Sequence, residues 1–271
     1  MTATMTSTTS MTSAAEAGFE TATPDPTVYL DRVAATELGR SYKQRMLDEL
    51  GIRPGHTVVD LGCGPGTDLV PLARAATDTG AVIGVDHDQA RVDTARERTA
   101  DQSFVSVRLG DIHALPLADR SADRARTDRV LQHVEDPGAV LTEVHRVLRP
   151  GGRLVMGEPD WESLAIDHPD SGLSRAYTQY VTDEVVRNAR IGRQLPRLAT
   201  TAGFAVPAVL PVTPVFRDAV EADKILGLER TTRRAVTAGH LTKEAARRWL
   251  DHLLSGPFLA SVTFYIVVAA S

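Results

Sequence analysis

The feature that most limits what this chain can fold into is an alternation. Between Thr57 and Glu158, short apolar or β-branched runs are followed in turn by stretches with apolar residues at helical spacing. TVVDL (57–61), AVIGVD (81–86), FVSVRLGD (104–111), ADRART (122–127) and GRLVMGE (152–158) read as strands. Leu69, Val70, Leu72 and Ala73 form one helical stripe, and Val140, Leu141, Val144, Val147 and Leu148 another. Asp88 stands where it can cap a helix, Asp136 and Pro137 open one, and RPGG (149–152) closes it. Such alternation implies a parallel sheet with helices on both faces. Right-handed crossovers bring the strand C-termini to one edge, where ligands collect.

The flanking segments add to this unit. Leu38, Tyr42, Met46 and Leu50 recur four apart before Gly51, which predicts an amphipathic helix over Tyr29–Leu50. After Glu158 the rhythm breaks. Leu173, Ala176, Tyr177, Tyr180 and Val181 mark an inserted helix, and another is expected around Leu195–Ala202. AVPAVLPVTPVF predicts a proline-interrupted strand near a sheet edge. A helical block with Ala246, Trp249, Leu250 and Leu253 precedes an alternating run, Phe258–Val268, that has the period of a strand. The first 25 or so residues are rich in Thr, Ser and Ala and carry almost no large apolar residue, so a flexible tail is expected there. The expected organisation is a tail over 1–25 and a single domain over 26–271, with insertions at about 163–190 and 217–257.

Composition narrows the class. A formal net charge of −5 argues against a general nucleic-acid binder, which would present a basic face. One cysteine, Cys63, leaves no internal disulfide framework and suits a reducing cytosol. The longest apolar run, near Val262–Ala270, is about half of the roughly 20 residues a membrane helix needs. With no basic segment preceding an apolar core at the N-terminus, a soluble cytoplasmic protein without a membrane span is expected. The eight histidines show no H-x-x-x-H or Cys/His spacing, so no metal site is expected.

The stretch VVDLGCGPGTD (58–68) carries the chemistry. It lacks the lysine of a P-loop, and Thr67 occupies the third glycine place of a dinucleotide turn. What remains is G-x-G-x-G, a turn that lets backbone approach a ligand without a pyrophosphate to bind. Asp86 ends the second run and can accept the hydroxyls of a ribose. His87 follows it, placed to lie on an adenine face, and Asp111 could accept from an adenine amino group. Two carboxylates at consecutive strand ends beside a glycine turn make an adenosine site without phosphates.

This pattern resembles the class I S-adenosylmethionine-dependent methyltransferases, in particular the small-molecule branch of ubiquinone/menaquinone-type and natural-product enzymes. VVDLGCGPG matches the glycine motif, GVD the ribose-binding acid and GDIHALPLAD the adenine segment, while DRVLQHVEDPGAVLTEVHRVLRPGGRLVM fits the following strand, helix and strand. The resemblance implies a Rossmann-like, doubly wound α/β fold: a seven-stranded, mostly parallel sheet with an antiparallel C-terminal strand and helical insertions as a substrate cap. It implies S-adenosylmethionine as cofactor. Asp60, Gly62, Cys63, Gly64 and Gly66 would line its methionine end, Asp86 its ribose, and His87, Asp111 and Ile112 its adenine. The backbone at Arg126 and Thr127 would meet its amino group, although RTDR (126–129) places three charges where many relatives carry small or neutral residues.

A sulfonium methyl is already activated, so the enzyme mainly aligns a nucleophile and excludes water. His133 is the first candidate to accept a proton or to position substrate, and Asp160 the second. Trp161, Tyr177 and Tyr180 would wall a pocket for a small organic, quinone-like or secondary-metabolite substrate, or else pack the inserted helix down. The same cofactor site would serve a non-methylating reaction such as a cyclisation, or a non-catalytic cofactor-binding protein. Acceptor atom and oligomeric state stay open at this point.

Overall fold

A computed structural model describes residues 18–271, and within it the chain divides into two compact units. The larger comprises Pro26–Asp160, Arg187–Val212 and Thr263–Ser271. The smaller is built from Trp161–Val186 and Thr213–Val262 with the described residues before Pro26.

The larger unit begins with two helices, α1 (Pro26–Ala35) and α2 (Glu37–Leu50), where the sequence predicted one. The break has a local cause. Thr36 is extended and its hydroxyl accepts from the Gly39 N–H, so it caps a new helix, which Gly51 ends in the left-handed conformation. Next come β1 (Thr57–Leu61), α3 (Leu69–Ala76), β2 (Ala81–Asp86), α4 (Gln89–Arg98), β3 (Val105–Leu109) and β4 (Ala122–Asp128). They are followed by α5 (Pro137–Val147), β5 (Leu148–Ile166) and, in the smaller unit, α6 (Ser171–Tyr180) with a π-turn over Val181–Val185. The order closes with α7 (Ile191–Thr201), β6 (Ala205–Val212), β7 (Val215–Phe216), α8 (Ala219–Leu226), α9 (Leu228–Thr237), α10 (Lys243–Ser255) and β8 (Ala260–Ala270). Asp88 and Asp136 cap α4 and α5 as their positions suggested.

The sheet runs β3-β2-β1-β4-β5-β8-β6, with β1 parallel to both β2 and β4, β5 parallel to β4, and β8 antiparallel to β6. This is the expected doubly wound arrangement, with strand order reversing between β1 and β4. Alternation along β1 sorts the core. Val59 and Leu61 pack with α5 and α7 residues such as Val140 and Leu195, while Val58 packs with Met46, Leu72 and Val92 on the other face. β6 lies at the sheet edge, as its prolines required.

In the smaller unit, β7 pairs with Ala260 and Ser261 of β8 beside α6 and α8–α10. Its core includes Leu164, Tyr177, Leu228 and Trp249. Two expectations change here. The fifth strand continues beyond Glu158 to Ile166, because Trp161–Ile166 keeps the strand period and buries Leu164 and Ile166. The expected tail is also too long. Residues 1–17 lie outside the described residues, but Phe19 is 4% exposed in this unit's core, and the Glu20 N–H donates to Asp223 Oδ2 at 2.7 Å.

Candidate cofactor and catalytic site

The ends of β1–β4 and the adjoining part of β5 bring most of the sequence-selected residues to one edge of the larger unit. After β1 the chain turns through Gly62, Gly64 and Gly66, all with positive φ (65°, 54° and 80°). Two of these positions require glycine twice over. A Cβ on Gly62 would lie 2.5 Å from the Val130 side chain, and one on Gly66 would lie 2.9 Å from Ala95 of α4. The Gly62 and Cys63 N–H groups both donate to Val85 O, at 2.8 and 3.1 Å, which ties the turn to β2.

Asp86 completes that tie. Its carboxylate is 3% exposed, one oxygen accepting from the Gly64 N–H at 2.8 Å and the other from the Asp88 N–H at 3.0 Å. His87 beside it is 83% exposed, its Nδ1 3.6 Å from Asp86 Oδ1. After β3, Asp111 is exposed and accepts from the His113 N–H at 2.9 Å, while Ile112 is buried in the core. The His113 hydrogen bonds hold the Asp111 carboxyl below its usual range. Cys63 is buried, and that burial pushes its thiol up, away from nucleophilic use.

At the end of β4 the structure reveals a network that the sequence signalled only through the unusual charges of RTDR. Lys43 on α2 bridges Asp68 and Asp128, the latter at 2.7 Å. Arg126 pairs with Asp68 at 3.0 Å and Asp128 at 3.1 Å, and its Nε lies 3.8 Å from Asp60 Oδ1. Asp60 is buried, and desolvation outweighs Arg126 in pushing its carboxyl up to about 7. So the Arg126 side chain belongs to this network, and Thr127 is buried with an unpartnered Oγ1. Asp60, Gly62, Cys63, Gly64, Asp128 and Arg129 share a cavity of about 40 Å³, lined also by Leu30 of α1.

His133 sits on the loop that follows, and two residues overlooked in the sequence fix that loop. Glu158 Oε1 accepts from the Val130 and Leu131 N–H groups at 2.8 and 2.7 Å. Asn188 Nδ2 donates to Leu131 O and Val134 O, both at 2.8 Å. His133 itself is exposed as a residue, yet partial desolvation of its imidazole, reinforced by Arg129 and Arg91, holds its pKa below the usual histidine value. Asp160, the second candidate, is buried and bound to Arg193 Nε, an arrangement that fixes its charge in place.

The other selected residues belong to the smaller unit. Tyr177 and Tyr180 are buried, and Tyr177 stacks on Trp249 with ring centroids 4.9 Å apart, so both pack the inserted helix down. Trp161 is partly buried against the same core. Among the described residues no cluster of three or more His, Cys, Asp or Glu side chains could hold a metal, and no helix is long and apolar enough to cross a membrane.

Comparison with known proteins agrees with this geometry. Residues 52–203 match the family model described as "Methyltransferase domain". A 37.1 kDa protein of transposon TN4556 from Streptomyces fradiae, itself uncharacterized, is 62% identical over 251 residues, which is 93% of this chain and 73% of that one. Demethylmenaquinone methyltransferase of Staphylococcus aureus is 31% identical over 137 residues, covering 51% of this chain and 57% of that enzyme. In fold, the chain is similar to geranyl diphosphate C-methyltransferase from Streptomyces coelicolor A3(2), solved with geranyl diphosphate and S-adenosyl-L-homocysteine. The TM-score is 0.56, with 18% identity over 85% of this chain and 78% of that one.

Proposed function

The chain belongs to the methyltransferase-domain family of class I S-adenosylmethionine-dependent enzymes, and from that premise we propose that its acceptor is a small organic molecule. The observation that carries this reading is the convergence of the glycine turn, Asp86 and the β4 end on one strand edge, in a chain whose net charge is −5. That net negative charge argues against a polyanionic substrate.

S-adenosylmethionine, when bound, supplies an electrophilic methyl group. The residues at hand fit it: a turn whose left-handed glycines hold backbone against the cavity, the Asp86 carboxylate tied to that turn, and buried polar atoms without partners at Thr127, Asp128 and Arg129. Asp60, Gly62, Cys63, Gly64 and Gly66 would surround its methionine end, with the backbone of Arg126 and Thr127 beside the amino group. Asp86, His87, Asp111 and Ile112 would hold the adenosine.

The proton-handling role falls, on this reading, to His133. Partial desolvation, with Arg129 and Arg91, lowers its pKa and so favours the neutral imidazole, the form that accepts a proton or orients an acceptor hydroxyl. The Glu158 and Asn188 contacts keep its loop in one position. Asp160, ion-paired to Arg193, serves better to orient groups than to abstract a proton.

The test is to incubate the protein with labelled S-adenosylmethionine and small-molecule extracts and identify what acquires label. A product heavier by one methylene unit, formed with stoichiometric S-adenosylhomocysteine, is expected. Conversion of an extract component without change of mass would favour a non-methylating reaction at the same site. Label found only on nucleic acid or protein would overturn the small-molecule reading.

A further inference from the structure

Of the basic side chains around the β4 end, Lys43 and Arg126 make close ion pairs and Arg129 does not, although the Nε atoms of Arg126 and Arg129 both lack a hydrogen bond. Lys43 and Arg126 divide Asp68 and Asp128 Oδ2 between them, and the Tyr42 hydroxyl also donates to that oxygen, at 3.3 Å. Arg129 gains no comparable partner. Its Nε is buried without a hydrogen bond, and the nearest carboxylate oxygen, Asp128 Oδ1, lies 3.8 Å away and is itself unpartnered. The Tyr29 ring covers its guanidinium at 5.9 Å, and the side chain is only 15% exposed.

Burying a guanidinium whose carboxylate neighbour lies 3.8 Å away, beyond hydrogen-bond reach, is unfavourable unless something else completes its anionic surroundings. The backbone points the same way. Arg129 is one of three non-glycine residues with positive φ (57°) among the described residues, and its N–H donates to Gly157 O at 2.8 Å. A left-handed arginine held from both sides, lining a cavity with Gly62, Cys63 and Gly64, is backbone strain kept at a site.

We propose that Arg129 receives the α-carboxylate of the bound cofactor, so that a side chain of this protein recognises the methionine end. The proposal rests on S-adenosylmethionine being the cofactor. The guanidinium presents a fork that suits a carboxylate, and Asp128 Oδ1 beside it suits the neighbouring ammonium. The pair thus matches a zwitterion. Tyr29 shields the contact from water, which strengthens it.

Calorimetric titration of the full chain with S-adenosylhomocysteine and with its decarboxylated analogue tests this without turnover. The parent is expected to bind the carboxylate-bearing ligand roughly 10- to 100-fold more tightly, the range for a charge-assisted contact. Arg129→Gln should bring that ratio close to one while leaving affinity for the decarboxylated analogue within about threefold, since only the carboxylate contact is removed. Arg129→Lys, which keeps the charge and loses the fork, should give an intermediate ratio, and it carries the test if the glutamine variant does not fold. A parent that does not discriminate, or a variant that discriminates as well as the parent, overturns the assignment. A parent that binds neither ligand removes the cofactor reading beneath it, a result distinct from binding both equally.

Discussion

Asp86 has two jobs that substitution separates. Its carboxylate holds the glycine turn through Gly64 and the next helix through Asp88, besides being the acid that would accept ribose hydroxyls. Asp86→Ala should weaken S-adenosylhomocysteine binding by about 1–3 kcal/mol, with Asp86→Asn losing less because it keeps one acceptor; calorimetry reads both. Glu158 offers a pH test. Burial pushes its carboxyl up to about 8 from 4.5, so the folded chain keeps a proton that the unfolded chain has released. Its contribution to stability is therefore fully present below about pH 4.5 and is lost as pH rises through about 8. Glu158→Gln keeps an acceptor for Val130 and Leu131 but cannot ionise. Parent and variant should melt together near about pH 4 and diverge towards about pH 9, the variant being the more stable. Parallel melting curves across that range would show that Glu158 is not protonated in the fold. At His133, a proton-accepting role predicts a loss of about 10²–10⁴-fold in single-turnover rate for both His133→Ala and His133→Gln, with cofactor affinity unchanged. Retention of rate by the glutamine variant alone would mean that the histidine positions its substrate.

Among the elements, α1 has the most specific task. Leu30 lies over the glycine turn, and Asp31 is tied to Arg98 of α4 by two hydrogen bonds of 2.9 and 2.7 Å and to the Thr67 hydroxyl at 3.2 Å. The cavity beneath measures about 40 Å³, against the roughly 300–1,000 Å³ typical of ligand pockets. We expect α1 to move when a cofactor enters, with the Asp31 contacts as its latch. Asp31→Ala should raise the association rate of S-adenosylhomocysteine in stopped flow and increase amide exchange over 26–35. Equilibrium affinity should change little, because the same latch also slows release. If association and exchange both match the parent, α1 is not the gate.

For the whole molecule, the chain is better described as two compact units than as a sheet with two independent insertions. Each has its own core, and the smaller draws on three separate parts of the chain, including Phe19 from a segment whose composition suggested a tail. Phe19→Ala should cost about 3–5 kcal/mol in the stability of that unit and lower its melting midpoint, the usual result of removing a buried aromatic ring. An unshifted midpoint would return Phe19 to the tail.

The sequence by itself determined the larger unit's architecture, because strand–helix alternation, capping aspartates and the glycine turn are local signals with local causes. TVVDL, AVIGVD and the stripe from Val140 to Val147 each occupy the element their spacing predicts. It also placed Asp60 and Asp86 near the ends of β1 and β2, and Asp111 and His133 on the loops after β3 and β4, since parallel crossovers bring these ends to one edge. What lay beyond it was decided by groups distant in sequence. Nothing on the polar face of α2 marks Lys43 as the partner of Asp128, and nothing in RTDR separates Arg126, which pairs closely with two carboxylates, from Arg129, whose carboxylate neighbour lies 3.8 Å away. Glu158 reads as the last residue of a strand, and only the approach of the Val130–Leu131 backbone makes it a clamp. Phe19 reads as one apolar residue in a polar tail until α8 and α10 supply the core that buries it. Spacing along the chain fixes elements and edges, whereas partners for charges and cover for isolated apolar groups exist only once those elements are packed.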